Sequence, residues 1–247
     1  MIQDTLTVMW KEWRSLAYGQ NRRQLVVMVV MLGFWAIWLP VQTGAGWMTD
    51  GVLSLLVAIL LPGLVVAVTV PPAFAGERER KTLATLLATR LPDEAILFGK
   101  LVVPLVVGCV ALLAVLIVSL VAANAASWDG TPRFYDLVVL VPNLLIGFLV
   151  ALMTAALGVA ISLRSRRVQD AQQLISLMLT LPALALGFLA FGAIQLAGGV
   201  QRLAERIDGV SGWIPALVAV GVLAAVDVAL LATARRRFRR NRLIALT

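Results

Sequence analysis

The sequence predicts an all-α polytopic membrane protein. Three observations indicate this class: 61% of its 247 residues are hydrophobic, only 14% are charged, and the mean hydropathy is +0.94. A soluble domain has about 45–50% apolar and about 25% charged residues, so this apolar excess exceeds what one globular core holds. The excess is concentrated in blocks of Leu, Val and Ala. These blocks lack the two-residue alternation of a transmembrane β-barrel, which indicates helices.

Six blocks approach the roughly 20 apolar residues that a helix needs to cross the hydrocarbon core. They predict spans at about 25–41, 52–74, 101–123, 137–163, 174–196 and 213–233. The first block is interpreted as a retained span and not a cleaved signal peptide, because it is too long and no small-residue cleavage site follows it. The whole chain, 1–247, is therefore predicted to be a single transmembrane domain.

The Lys and Arg residues indicate how the chain is oriented. With six spans, both termini lie on one side, and that side receives all 21 Lys and Arg residues except Arg133, Arg202 and Arg206. Cytoplasmic loops are enriched in Lys and Arg, so both termini are predicted to be cytoplasmic and the protein to lie in the cytoplasmic membrane. Anionic lipid headgroups and cytoplasmic partners explain the net charge of +8 better than nucleic acid does.

The composition excludes several kinds of site. The chain has no His, which removes His-based acid–base catalysis, Ser–His triads and most transition-metal sites. Gly99-Lys100 lacks the upstream Gly and the following Ser or Thr of a phosphate-binding loop. We therefore expect neither enzymatic activity nor a metal site nor a cofactor in this chain, and ATP would have to bind to another one.

Residues 1–24 predict an amphipathic helix that lies flat in the inner membrane interface. Apolar residues recur at the spacing of one helical face, and charged residues fall on the other. The apolar face carries Leu6, Met9, Trp10, Trp13, Leu16 and Ala17, and the polar face carries Lys11, Glu12, Arg14 and Ser15. A simple membrane anchor is the alternative interpretation.

A charged, helix-prone segment, 75–100, separates the second span from the third. Pro71 and Pro72 are predicted to end the second span, and Pro92 to stop a short helix after it. This helix has a leucine face and an adjacent threonine face, and a mixed-charge run precedes it. The run is Glu77-Arg78-Glu79-Arg80-Lys81, and the faces are Leu83, Leu86, Leu87 and Leu91, and Thr82, Thr85 and Thr89. A solvated loop is the alternative, because charge runs are usually solvated faces.

Few polar residues interrupt the spans. At the beginning of the fifth span, a group of polar residues lies close to one helical face, where they either line a pathway or hydrogen-bond to a neighbouring helix. They are Gln169, Gln172, Gln173, Ser176 and Thr180, of which Gln173, Ser176 and Thr180 are the candidate pathway residues. Asp227 is the single acid within a span. Such an acid either pairs structurally or contacts the substrate.

Two further patterns concern packing and the outer surface. Gly147, Ala151 and Ala155 recur every four residues in the fourth span, which predicts a face for close helix packing. Residues 197–212 have an apolar stripe between glycines, which predicts an amphipathic segment that dips into the outer interface. An ordinary outer loop is the alternative for this segment.

Two stretches together with the six spans resemble a known family, the type-2 exporter permeases of ATP-binding cassette (ABC) transporters. The stretches are WKEWRSL near the N terminus and FAGERERKTLATLLATRLPDEAILFGKL after the second span. Such permeases carry a Phe, a small pair, an acidic–basic run, Thr-Leu, Leu-Leu and Gly-Lys in this order. Here these are Phe74, Ala75-Gly76, Glu77-Arg78-Glu79, Thr82-Leu83, Leu86-Leu87 and Gly99-Lys100.

The resemblance implies a coupling helix within 75–100 that docks on a separate ATPase subunit and transmits its motion to the spans. The implied docking residues are Glu77, Arg78, Glu79, Arg80, Thr82, Leu83, Leu86 and Leu87. Residues 1–24 would be the connecting helix near the ATPase, with Trp10, Lys11, Glu12, Trp13 and Arg14 at the interface, and 197–212 would be re-entrant.

The resemblance also implies the composition of the assembly. The large extracellular domain that many relatives carry between the first two spans is missing here, because that loop is only about 42–51. This departure implies a half-transporter, in which two permease subunits, identical or related, join two ATPase chains that bind ATP and Mg²⁺. The implied function is export, and the apolar spans favour a hydrophobic or amphipathic substrate.

Other classes of protein stay open at this stage. A secondary transporter would be expected to show inverted repeats, broken helices and intramembrane coupling charges. A membrane-embedded enzyme would need a convergent catalytic set built without His. A membrane-embedded assembly subunit outside the ABC class is a further alternative.

Overall fold

The structure is a computed structural model that describes residues 2–18, 22–49, 52–82, 92–165, 167–196 and 213–237. Within these ranges the chain forms eight helices and no strand. The helices are α1 (Ile2–Tyr18), α2 (Arg22–Thr43), α3 (Gly46–Thr49), α4 (Val52–Glu79), α5 (Asp93–Ala126), α6 (Leu137–Ser162), α7 (Val168–Leu196) and α8 (Trp213–Arg237). The all-α prediction is confirmed for the described residues.

Four of these helices are long and apolar enough to cross a membrane. The candidate spans are Val26–Thr43, Leu53–Glu79, Asp93–Ala126 and Leu137–Ser162, and they coincide with the first four predicted spans. The helices α7 and α8, with 29 and 25 residues, cover the positions of the fifth and sixth. Those two spans stay predictions.

The central pair of the bundle is α4 and α6. The helices α5 and α7 also pack against α4, α8 packs against α6, and α2 packs against α5. In an apolar 18-residue stretch of α4, 67% of the residues are buried, against 17% in the corresponding stretch of α2, so α2 lies at the periphery. The exposed side of α2 carries large apolar side chains such as Phe34, Trp35 and Ile37, as a lipid-facing helix requires.

Small residues of α6 allow its close contact with α4. Ala151 and Ala155 are buried, and a Cβ on Gly147 would lie 2.8 Å from the carbonyl oxygen of Ala58. The predicted close-packing face on α6 is therefore confirmed. Since Pro62 has no N–H for the Ala58 carbonyl, α6 approaches α4 at an oxygen that its own helix leaves free.

Pro71 and Pro72 do not end the second helix, because α4 continues through both of them to Glu79. Pro72 cannot donate a hydrogen bond to the carbonyl of Val68, four residues earlier. The Nε2 of Gln172, from α7, donates to that oxygen at 2.9 Å. A transmembrane helix tolerates proline where a neighbouring helix satisfies the freed group, so the break predicted at the two prolines is wrong.

The helices extend into the predicted segment 75–100 from both ends. Its first residues belong to α4, and α5 begins at Asp93, so that Gly99 and Lys100 lie within α5. Residues 83–91, which hold most of the predicted coupling helix, lie outside the described residues. So does the predicted outer segment, 197–212.

Candidate functional site

Four charged side chains meet where α1, the end of α4 and the beginning of α5 come together. The Nζ of Lys100 lies 3.0 Å from Oε1 of Glu12 and 2.9 Å from Oε1 of Glu77. The Nζ of Lys11, whose side chain is 56% exposed, donates to the same Glu77 oxygen at 2.7 Å. Two ammonium groups thus balance two carboxylates. We call these four residues the charged cluster, and the end of the bundle that holds it the charged end.

Lys100 is the buried centre of the charged cluster. Its side chain is 1% exposed, and those of Glu12 and Glu77 are 8% and 12% exposed. Its ammonium group also donates to the carbonyl oxygen of Ala73 at 2.6 Å and lies 5.6 Å from the centre of the Phe74 ring, within cation–π range. Burying a charge is costly unless it is paired and hydrogen-bonded, and three oxygens meet this requirement for Lys100.

Gly99 allows α1 to approach closely enough for the Lys100 contact. A Cβ on Gly99 would lie 2.7 Å from the Cβ of Val8 and 3.1 Å from the carbonyl oxygen of Thr5. Val8 and Glu12 are one helical turn apart and are both buried, on a helix that packs along α5. The two residues of the Gly-Lys pair therefore act together: Gly99 leaves the space in which α1 packs, and Lys100 binds the carboxylate of Glu12 in α1.

Arg78 and Glu79 reach two other helices. The Nη1 of Arg78 donates to the carbonyl oxygen of Leu163 at 2.8 Å, at the C-terminal end of α6, where the helix dipole favours a cation. The Oε2 of Glu79 accepts the N–H of Val168 at 3.3 Å, at the N-terminal end of α7, where a backbone donor has no partner within the helix. Three consecutive residues of α4 thus bond to different helices. Glu77 bonds to α1 and α5, Arg78 to the end of α6, and Glu79 to the beginning of α7.

The helix α4 ends directly after these three residues. The N–H of Thr82 bonds to the carbonyl of Glu77 at 2.9 Å, and the N–H of Lys81 bonds to that of Arg78 at 3.0 Å. These are the two hydrogen bonds of a Schellman motif. Lys81 has a φ of 58°, the left-handed conformation that Gly adopts most easily. The motif ends the helix just before residues 83–91.

The predicted docking residues fall into three groups. Glu77 and Arg78 are half-buried and bonded to their own chain, so a fully solvated charge run is wrong for these two. Exposed members are Glu79, Arg80 and Thr82. Outside the described residues lie Leu83, Leu86 and Leu87. The role of the whole set in contacting an ATPase stays a prediction.

The helix α1 exposes residues of both predicted faces, and its position in the membrane interface stays a prediction. Trp10 and Trp13 are 69% and 51% exposed, and Arg14 is exposed as well. Glu12, predicted for the polar face, is buried because it faces Lys100. The sequence did contain a signal for this contact: Lys100 lies within the apolar run LFGKLVV, and a charge in such a run needs a buried partner.

The polar residues predicted to line a pathway along α7 differ in their exposure. Gln173 is exposed, whereas Ser176 and Thr180 are half-buried. The Thr180 hydroxyl donates to the Ser176 carbonyl oxygen at 2.8 Å within its own helix. Their role in lining a pathway stays a prediction.

Asp227 is buried within the bundle, away from hydrogen-bonding groups of the described residues. It is 2% exposed, and neither carboxylate oxygen bonds to any residue that the structure describes. Leu223 and Leu231, one turn away on either side, pack against residues of α6. Across the described ranges, no group of three or more Cys or acidic residues is arranged to hold a metal ion.

The comparisons with known proteins identify the family of the chain. The family model described as ABC-2 type transporter matches residues 3–194. This region extends from α1 almost to the end of α7 and contains the whole charged cluster. A comparison with curated proteins gives no match. Since the family match covers more than half of the chain, the protein belongs to the ABC-2 type transporter family, the membrane-spanning permeases of ABC transporters.

Proposed function

We propose that the chain is the permease subunit of an ABC exporter in the cytoplasmic membrane. It moves a hydrophobic or amphipathic substrate, and a separate ATPase subunit binds ATP and Mg²⁺ and hydrolyses the ATP. Membership of the ABC-2 family supports the permease role. The observation that supports a link to an ATPase is that residues 83–91 connect two long helices, α4 and α5, whose ends the charged cluster joins to each other and to α1.

Residues 83–91 connect two helices that are longer than a bilayer requires. The helices α4 and α5 have 28 and 34 residues, which corresponds to about 42 Å and about 51 Å of helix. The hydrocarbon core is about 30 Å thick, so both helices continue beyond it. The charged cluster holds their ends together and binds α1 to them. A displacement of residues 83–91 by an ATPase would therefore be transmitted through α4 and α5 to the spans, as an ATP-driven permease requires.

The charged end is proposed to face the cytoplasm. Its exposed cationic residues are Lys11, Arg14, Arg80, Lys81, Arg164 and Arg167, and the side of a membrane protein that is rich in Lys and Arg is the cytoplasmic one. With α7 and α8 as the fifth and sixth spans, both termini lie on this side. Residues 83–91 then face the compartment that contains ATP.

The docking contact is proposed to be an apolar one with a polar rim. Leu83, Leu86 and Leu87 would fill a groove on the ATPase subunit, in the manner of a helix that binds with one face. Arg80 and Thr82, which are exposed beside this segment, would flank the contact. A second permease subunit, identical or related, completes the transporter.

The proposed substrate class rests on the composition of the spans. The candidate spans are strongly apolar, with mean hydropathies of up to 3.2, which favours a lipid-like or amphipathic molecule over a sugar or an ion. Gln173, Ser176 and Thr180 are proposed to line part of the pathway. The exposed position of Gln173 on α7 supports this, because a polar amide facing lipid would be costly.

Cysteine labelling in sealed cells tests the orientation. In a Cys109→Ser background, Thr43→Cys or Gly130→Cys is expected to react with an impermeant maleimide, and Thr85→Cys is not. Co-purification of the tagged permease with an ABC ATPase subunit from its native cells tests the assembly, and a stable complex is expected. Labelling at position 85 from outside contradicts the orientation, and the absence of any bound ATPase contradicts the proposed function.

A further inference from the structure

We propose that Glu77 is a positioning residue that fixes α1 to the end of α4, so that α1 and the two helices flanking residues 83–91 move as one rigid unit. The rigid link is a property of this chain alone. The motion that it would transmit rests on the proposed function. The two parts are therefore tested separately below.

Glu77 joins three helices, as Lys100 does, but it is the member of the charged cluster that lies at the end of α4. Its Oε1 atom accepts from Lys11 of α1 at 2.7 Å and lies 2.9 Å from the Nζ of Lys100 of α5. Its own backbone belongs to α4. One carboxylate oxygen, largely buried, therefore connects three helices, and the Schellman motif that leads to residues 83–91 is built on the carbonyl of the same residue.

The apolar packing of α1 does not provide this link. Val8 packs against Gly99, and α1 runs along α5, with far less contact to α4. Apolar contacts are non-directional, so this packing alone allows α1 to rock about α5. The ion pairs of Glu77 with Lys11 and Lys100 are directional, and they fix the angle of α1 relative to the end of α4.

Pulsed electron–electron double resonance on the full-length permease in nanodiscs tests the rigid link. Nitroxide labels are attached at Ser15→Cys in α1 and Arg80→Cys after α4, both exposed positions, in a Cys109→Ser background. The parent protein is expected to give one narrow distance peak. Glu77→Gln, which removes the charge and keeps the shape, is expected to lose that peak to a broad distribution. A peak as narrow as in the parent overturns the proposal.

Glu79→Gln is the matched control, because it alters a neighbouring carboxylate that contacts α7 and not α1. It is expected to keep the narrow peak, and equal broadening in both variants overturns the specific role of Glu77. Lys11→Met covers the case in which Glu77→Gln fails to fold, since Lys11 is largely exposed. It is expected to broaden the same peak, and an unchanged peak contradicts the link.

Transmission of motion through Glu77 is tested in the complex with the ATPase subunit, measured with and without ATP and vanadate. A third label at Thr131→Cys, at the opposite end, reports movement along the bundle. In the parent, nucleotide trapping is expected to shift both the Ser15–Thr131 and the Arg80–Thr131 distances and to leave Ser15–Arg80 unchanged. In Glu77→Gln only the Arg80–Thr131 distance is expected to shift. Equal shifts in that variant overturn transmission through Glu77, whereas no shift in the parent overturns the proposed function and leaves the rigid link standing.

Discussion

The ammonium group of Lys100 lies 3.0 Å from the carboxylate of Glu12, although 88 residues separate the two in the chain. The contact brings α1 onto the beginning of α5, beside the end of α4. It makes the stability of this region depend on a charge balance, because removing one member of a buried ion pair leaves the other without compensation.

Replacing Lys100 with methionine tests this dependence. The variant leaves Glu12 and Glu77 buried without their shared cation and removes the donor to the Ala73 carbonyl. We expect the free energy of unfolding to fall by about 3–5 kcal/mol, measured by thermal and denaturant unfolding in detergent. Lys11→Met is the control. Its side chain is 56% exposed, so its effect should stay below about 1 kcal/mol. Equal losses in the two variants would contradict the role of burial.

Replacing Gly99 with alanine should displace α1 from α5. The added Cβ would lie 2.7 Å from the Cβ of Val8, and such overpacking costs about 1–3 kcal/mol. The reactivity of Val8→Cys with a water-soluble maleimide, in the Cys109→Ser background, reports the displacement. We expect slow labelling in the parent and fast labelling with Gly99→Ala. Gly33→Ala is the control, since nothing lies within 4 Å of its Cβ position. Slow labelling in all three proteins would show that α1 adapts to the methyl group.

The prolines of α4 and the glutamine of α7 should be energetically coupled. Gln172→Leu leaves the Val68 carbonyl buried without a donor, which should cost about 1–3 kcal/mol of unfolding free energy. In a Pro72→Ala background the backbone N–H of residue 72 can bond to that carbonyl, so the same glutamine change should cost clearly less. A double-mutant cycle by thermal unfolding measures the difference. Additive effects would mean that Gln172 does not compensate for Pro72.

Sequence reasoning predicted the helices far better than their ends. Hydropathy is a property of each block by itself, so the first four predicted spans coincide with helices. The end of α4 was misplaced at Pro71 and Pro72 because the compensating donor, Gln172, comes from a distant part of the chain. No local rule identifies such a partner.

The candidate site shows the same limit. The Glu-Arg-Glu run and the Gly-Lys pair were recognised as motifs, but Glu77 was assigned only to ATPase docking, with a solvated loop as the alternative, and its contacts with Lys11 and Lys100 were not predicted. Its burial depends on Lys100 and on the approach of α1 at Gly99, and these are tertiary contacts. The polarity of each residue was visible in the sequence, whereas the choice of partner was set by how the helices pack.

Asp227 should respond differently from Lys100 when its charge is removed. No described residue bonds to either carboxylate oxygen, and an isolated charge among membrane helices is costly. We therefore expect Asp227→Asn, which is almost the same size, to leave thermal stability unchanged or to raise it. A marked loss of stability would instead reveal a cationic partner outside the described residues.

The most direct test of the docking of residues 83–91 is the affinity between the permease and its ATPase subunit. The permease in nanodiscs is immobilised, and the dissociation constant is measured for the parent and for the Leu86→Asp/Leu87→Asp double variant. Thr85→Asp/Thr89→Asp is the control, because it adds the same charge to an adjacent face of the segment. If the leucines fill an apolar groove, the leucine variant loses at least about 3 kcal/mol, or more than about 100-fold in affinity, while the control binds nearly as the parent does. Unchanged binding of the leucine variant would contradict the account, because residues 83–91 would then be a loop that the ATPase does not contact.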